Sequence, residues 1–126
     1  MPRKIKILCV EDDEEYLLFL KLMIEQGAHS EFSVDTAITS DDAIQKLAGN
    51  AFDVCFVDFR LEGKNTGLDV LRHFEGYKID TAFVFLTAYA KKEWAFEAMS
   101  LGAMDYLTKA KFDQFEFEKT LSYVLF

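Results

Sequence analysis

The apolar residues of this chain fall into two kinds of run. Ile5 to Val10, Val54 to Val57 and Ala82 to Leu86 are nearly continuous apolar stretches. A strand covered on both faces has no polar side to alternate with, so these runs predict the central strands of a parallel sheet. The intervening and following segments carry apolar residues at helical spacing: Leu17, Leu20 and Ile24; Ala43 and Leu47; Leu68 and Leu71; Trp94, Ala98 and Leu101; and Phe115, Leu121 and Leu125. Residues three and four apart share one helix face, so each set predicts a helix laid against the sheet.

Two shorter runs have a different texture. Phe32, Val34 and Thr36 alternate with Ser33 and Asp35, and Met104 to Leu107 is interrupted by Asp105, as suits strands at a sheet edge. Gly27, Gly49, Gly76 and Gly102 stand where helices would stop, and Ser40 followed by two Asp suits a helix start. The resulting βαβα alternation is that of a doubly wound α/β fold with helices on both faces. With right-handed crossovers and the second and fifth strands outside, the simplest strand order is 2-1-3-4-5. That order belongs to the flavodoxin-like class and is borrowed from it, together with the rule that ligands sit at the carboxyl ends of the central strands.

Composition narrows the function classes. At 126 residues, the expected organisation is one domain over 1–126, and 51% hydrophobic with 29% charged residues is the balance of a globular protein. The 22 acids against 14 bases give a net charge of -8, which repels phosphate backbones and anionic lipid surfaces. Direct nucleic-acid or membrane binding is therefore not expected. Cys9 and Cys55 lie inside apolar runs without paired spacing and are expected to be reduced core residues. Met1-Pro2-Arg3-Lys4 leads to a short apolar stretch and then five acids, without the uninterrupted apolar segment of a signal peptide, so the expected location is cytoplasmic.

The polar residues at the strand ends carry the chemistry. Strand one ends in Glu11-Asp12, strand three in Asp58, strand four in Thr87, and Lys109 follows strand five. At an effective dielectric near 20, two carboxylates about 4 Å apart repel by about 4 kcal/mol, so such a cluster calls for a cation. An all-oxygen donor set favours Mg2+, which retains waters that a phosphoryl oxygen could replace. A carboxylate can attack phosphorus to form an aspartyl phosphate, with Thr87 and Lys109 addressing the remaining oxygens. Singly, each residue has a plainer role: a strand-end Asp is usually a turn or cap residue, Thr87 would cap, and Lys109 would be a solvated charge. Asp13, Glu14 and Glu15 are assigned only to the first helix's N-terminus. Joint placement at the right strand ends favours the chemical reading.

The set Glu11-Asp12, Asp58, Thr87 and Lys109 resembles the active site of the response-regulator receiver domain. The motifs Ile-Leu-Cys-Val-Glu-Asp-Asp, Phe-Asp-Val-Cys-Phe-Val-Asp, Phe-Leu-Thr-Ala and Asp-Tyr-Leu-Thr-Lys occur in the family's order, and the likeness spans essentially the whole chain. The resemblance implies a phosphorylation switch in which Asp58 is the phosphoacceptor and Thr87 and Lys109 assist. It also implies Mg2+ held directly by Asp12 and Asp58, through water by Glu11, and by the main-chain carbonyl of Arg60. Thr87 and Tyr106 match the family's switch pair. The implied donor is a histidine kinase or phosphotransfer protein. The implied output is a downstream protein or second copy bound through helix four, strand five and helix five. Catalysis beyond self-phosphorylation and self-dephosphorylation is not expected.

Two departures from the family pattern stand out. Ala110 replaces the Pro that usually follows the Lys, so a trans bond is expected there. The loop after Asp58 has Glu62 where Pro is common and one residue more than usual before Gly67. Three alternatives compete. An aspartyl-phosphate phosphatase would need Asp-x-Asp on strand one, where Glu11 and Asp13 stand. A flavin module would need a Ser, Thr and Gly loop in place of five acids. A docking module independent of phosphorylation would not need the complete acceptor, metal, Thr and Lys set. Of the C-terminal aromatics Trp94, Tyr106, Phe112, Phe115 and Phe117, most are expected in the core, Phe115 among them, with Tyr106 free to pack inward or lie in solvent.

Overall fold

A computed structural model describes residues 4–26, 32–60, 67–76, 79–88 and 91–125. Five strands, β1 (Ile5–Val10), β2 (Phe32–Ala37), β3 (Val54–Val57), β4 (Ala82–Thr87) and β5 (Asp105–Thr108), alternate with α1 (Glu14–Glu25), α2 (Ser40–Gly49), α3 (Gly67–His73), α4 (Lys92–Ser100) and α5 (Gln114–Leu125). A short 3-10 turn, Lys109–Lys111, joins β5 to α5. The sheet is wholly parallel in the expected order β2-β1-β3-β4-β5, with the two strands of edge texture at its edges.

Strand periodicity divides the core into two layers. Ile7, Cys9, Val54, Phe56, Val84 and Leu86 face α1 and α5, joining Leu20, Ile24, Phe117 and Leu121. Leu8, Val10, Cys55, Val57, Phe83 and Phe85 face the other way, among Ala43, Leu47, Leu68, Leu71 and Ala98. Because every residue of β3 is buried, its apolar run is unbroken. Cys9 and Cys55 lie on opposite faces of the sheet, and both thiols are free.

Several boundaries differ from expectation. Thr39, not Ser40, caps α2: its hydroxyl accepts the Asp42 N–H, while Ser40 is buried as the first helical residue. Strand β5 begins at Asp105, one residue after Met104. Gly76 and Gly102 follow α3 and α4 with φ of 84° and 102°, as helix stops do, whereas Gly49 is still helical; Gly27 falls outside the described residues.

Phe115 is the clear correction to the expected core. It is 69% exposed, whereas Phe117 is fully buried. Counting from α5's start at Gln114, the inward stripe is Phe117, Thr120 and Leu121, and Phe115 lies about 200° around the helix from Phe117. The described residues contain no cis peptide bond, so the Lys109–Ala110 bond is trans as expected. Glu62 and the rest of the loop 61–66 lie outside the described residues.

Candidate functional site

The carboxyl ends of β1, β3, β4 and β5 meet at one edge of the sheet because the strands are parallel and paired in register: Val10 lies beside Val57, Val57 beside Phe85, and Thr87 beside Thr108. Each strand therefore releases its next residue into the same space. Glu11 leaves β1 with its N–H on the Ala37 carbonyl at 2.9 Å, and Asp58 leaves β3 with its N–H on the Val10 carbonyl at 3.0 Å. These bonds extend the ladder by one residue and aim both carboxylates together. Asp13 then starts α1, its Oδ1 accepting the N–H groups of Glu15 at 3.0 Å and Tyr16 at 3.3 Å. Asp13 is thus a cap, as assigned from the sequence, and Asp12 is left exposed at the rim.

Glu11, Asp12 and Asp58 each offer a carboxylate oxygen within 4.8 Å of the other two. Glu11 and Asp58 are buried. Lys109 spans both: its Nζ donates to Asp58 Oδ2 at 2.9 Å and pairs with Glu11 Oε1. Asp58 Oδ1 accepts the Arg60 N–H at 3.3 Å, so both acceptor oxygens are held. Burial pushes the Glu11 carboxyl up to about 8, the hydrogen bond from Lys109 opposing and the charge of Asp58 adding to the rise. Burial alone would lower the Lys109 ammonium, but its bonds to Glu11 and Asp58 outweigh that and raise it.

The donor set fits a divalent cation. Three carboxyl groups share one ammonium, an excess of acid over base that a divalent cation would offset, and the donors are hard oxygens. Glu11, Asp12 and Asp58 each have an oxygen close enough to the other two to share one cation. Arg60 is tied to the cluster through its N–H on Asp58.

Thr87 is buried at the end of β4, two residues beyond Phe85, which pairs with Tyr106 on β5. The Tyr106 ring stacks over Phe85 with centroids 6.0 Å apart, half buried. Burial raises the Tyr106 hydroxyl, with the nearby Thr87 side chain opposing. All of Glu11, Asp12, Asp58, Arg60, Thr87, Tyr106 and Lys109 are thus brought to one end of the sheet.

Three features escaped sequence reasoning. Gly67 presses on Asp58: its N–H bonds the Phe59 carbonyl at 2.7 Å, and a Cβ there would run into the Asp58 carbonyl oxygen. Phe59 stacks on Trp94 with centroids 4.3 Å apart and planes 8° from parallel, and Arg60 and Lys91 lie 5.1 and 4.6 Å from that ring. Tyr16, in the first turn of α1, puts its ring 4.5 Å from Lys109 Nζ. An aromatic one residue after a strand-end Asp, or in a helix's first turn, carries no local signal of such contacts, which depend on distant chain segments.

Comparisons with known proteins agree with this layout. The family model described as the response regulator receiver domain matches residues 7–121. The chain is 36% identical over 104 residues to the alginate biosynthesis transcriptional regulatory protein AlgB of Pseudomonas aeruginosa, a match covering 82% of this chain and 22% of that protein. Among solved structures, it is similar to the non-phosphorylated HemR receiver domain of Leptospira biflexa, with TM-score 0.81 and 33% identity, covering 96% of this chain and 94% of that one. A CheY-like receiver domain protein from Methanospirillum hungatei shares the fold at TM-score 0.83 and 22% identity, covering 97% of this chain and 94% of that one.

Proposed function

Because the chain belongs to the response regulator receiver domain family, we propose that it is a phosphorylation switch with Asp58 as its phosphoacceptor. One observation carries the reading: Asp58 touches Lys109, at 2.9 Å, lies within 4.8 Å of Glu11 and Asp12, and of the two carboxylates paired with Lys109 has the more exposed side chain, 10% against 3% for Glu11. An Asp58 oxygen attacks phosphorus, an O–P bond forms, and the donor's P–N or P–O bond breaks with its electron pair leaving on the donor. Lys109 already lies where a phosphoryl oxygen would arrive and offers it a charge-assisted hydrogen bond. Mg2+ held by Asp12 and Asp58, with Glu11 and the Arg60 carbonyl completing the protein's share, would neutralise charge developing on the transferred group. Thr87 turns toward the new oxygens and exchanges its place near Tyr106 for a bond to the phosphoryl group.

That exchange supplies the switch. Tyr106 on β5 packs on Phe85 of β4, two residues before Thr87, so a change at Thr87 biases the ring between inward and outward positions. The face beside it leaves large apolar side chains in solvent: Phe96 and Met99 on α4, Met104 before β5, and Phe115 and Tyr123 on α5. Phe115, misassigned to the core from sequence, belongs to this surface. A downstream protein or second copy bound there would read the state of Asp58. The donor is a histidine kinase or phosphotransfer protein, and the chain's own chemistry is limited to gaining and losing its phosphoryl group. The chain spans 22% of the length of the AlgB relative, so the output of any longer protein containing it would lie outside this domain. A net charge of -8 argues against DNA contact by the domain itself. Among the described residues, no helix is long and apolar enough to cross a membrane.

Intact-mass analysis after incubation with acetyl phosphate and Mg2+ tests the assignment. One added phosphoryl group is expected on the natural chain and none on Asp58→Asn; equal uptake by the variant would refute it.

A further inference from the structure

Lys109 follows β5 as the first residue of the 3-10 turn, on a flexible four-carbon stem, yet its ammonium is largely enclosed. An ammonium has three N–H groups to direct. Asp58 takes one at 2.9 Å, Glu11 pairs with the second, and the face of Tyr16, with its centroid 4.5 Å away, stands opposite the third. The ring is itself held. Its backbone N–H bonds the capping Asp13, and it packs against Phe19 with centroids 5.4 Å apart. Its hydroxyl is buried and has no hydrogen-bond partner among the described residues, so the ring face, not the O–H, is what the residue brings to this contact.

We propose that Tyr16 is a positioning residue for phosphoryl transfer, its ring holding the Lys109 ammonium between Glu11 and Asp58. The proposal rests on the reading of Asp58 as acceptor. When a phosphoryl group joins Asp58, that partner is converted to an acyl phosphate, whereas the ring is not altered. It therefore keeps Lys109 over the site before and after transfer, while Asp58 changes its demand on the ammonium. A cation over an aromatic face in a partly desolvated setting gains enough for its loss to slow transfer roughly two- to thirty-fold.

The test compares the natural chain with Tyr16→Phe, Tyr16→Leu and Tyr16→Met, the Met variant serving if Leu fails to fold. Initial rates of phosphoryl uptake from acetyl phosphate at saturating Mg2+ are measured beside the proton shifts of the Lys109 methylene next to Nζ. Tyr16→Phe is expected to keep the rate within about twofold, since the face is retained. Leu or Met is expected to lower it by the larger factor with the fold intact by circular dichroism. The Lys109 methylene protons should be shifted upfield by the ring in the natural chain and in Phe, and not in Leu or Met. A Leu or Met variant as fast as the natural chain, a Phe variant as slow as Leu, or a Lys109 signal insensitive to position 16 would each overturn the proposal. If the natural chain takes up no phosphoryl group, the acceptor reading fails instead, and the Lys109 shift still decides whether the ring holds the ammonium.

Discussion

Gly67 is the residue at which packing and the proposed chemistry can be perturbed by a single methyl group. A Cβ at this position would lie 2.9 Å from Phe85 Cε1 and from Val57 Cγ2, and against the Asp58 carbonyl oxygen. Carbon atoms in contact sit about 3.5 to 4.0 Å apart, so both side chains must give by roughly 0.6 Å or more. The carbonyl has less freedom, because the Asp58 N–H is fixed to the Val10 carbonyl and its Oδ2 to Lys109. Overpacking typically costs about 1 to 3 kcal/mol, and backbone on one side places Gly67→Ala near the top of that range. The gain in helix propensity, up to about 1 kcal/mol in a helix interior, is smaller at the first residue of α3. A net loss of about 2 to 3 kcal/mol is expected, or roughly 8 to 12 °C in melting temperature for a chain of this length. Displacing Asp58 from Lys109 by even about 1 Å should also slow phosphoryl uptake by up to about a hundredfold. Gly49→Ala is the control: nothing lies within 4 Å of its Cβ position near the end of α2, so it should be neutral or stabilising by up to about 1 kcal/mol. Melting by calorimetry and uptake by intact mass check both. A Gly67→Ala protein that melts and reacts like Gly49→Ala would refute the close-packing argument.

Three other expectations follow from groups whose environments are equally specific. Thr120 is fully buried on α5 with a hydroxyl that has no partner among the described residues, so Thr120→Val should stabilise the fold by about 1 kcal/mol in chemical denaturation, and a destabilised variant would show that the hydroxyl is bonded in solution. Asp12→Ala removes the exposed member of the acidic cluster and should weaken Mg2+ binding at least tenfold by titration; unchanged affinity would remove Asp12 from the ligand set. Cys9 and Cys55 are fully buried, and burial holds the Cys55 thiol well above its ordinary value, so neither should react with a thiol reagent at pH 8 until the protein unfolds. Rapid labelling of the native chain would contradict that burial.

Much of the architecture was legible along the chain because burial on both faces erases alternation. Val54 to Val57 reads as a central strand since each of its residues meets a core layer, and β2 reads as an edge since Asp35 is exposed. Glu11, Asp12, Asp58, Thr87 and Lys109 could be named because, in a parallel sheet, strand ends meet wherever the strands do. Phe115 went wrong because apolar spacing alone does not set a helix's rotation: starting at Gln114, α5 turns Phe117 inward and Phe115 out. Sequence also held no trace of the closeness of Gly67 to Asp58, the Phe59 stack on Trp94, or the Tyr16 ring beside Lys109. Local chemistry dictates which segments become strands and helices, through periodicity, capping and backbone preference. Which side chains from distant segments touch is decided only when the helices pack on the sheet, because a contact such as Tyr16 with Lys109 depends on helix rotation and side-chain direction summed over the whole fold.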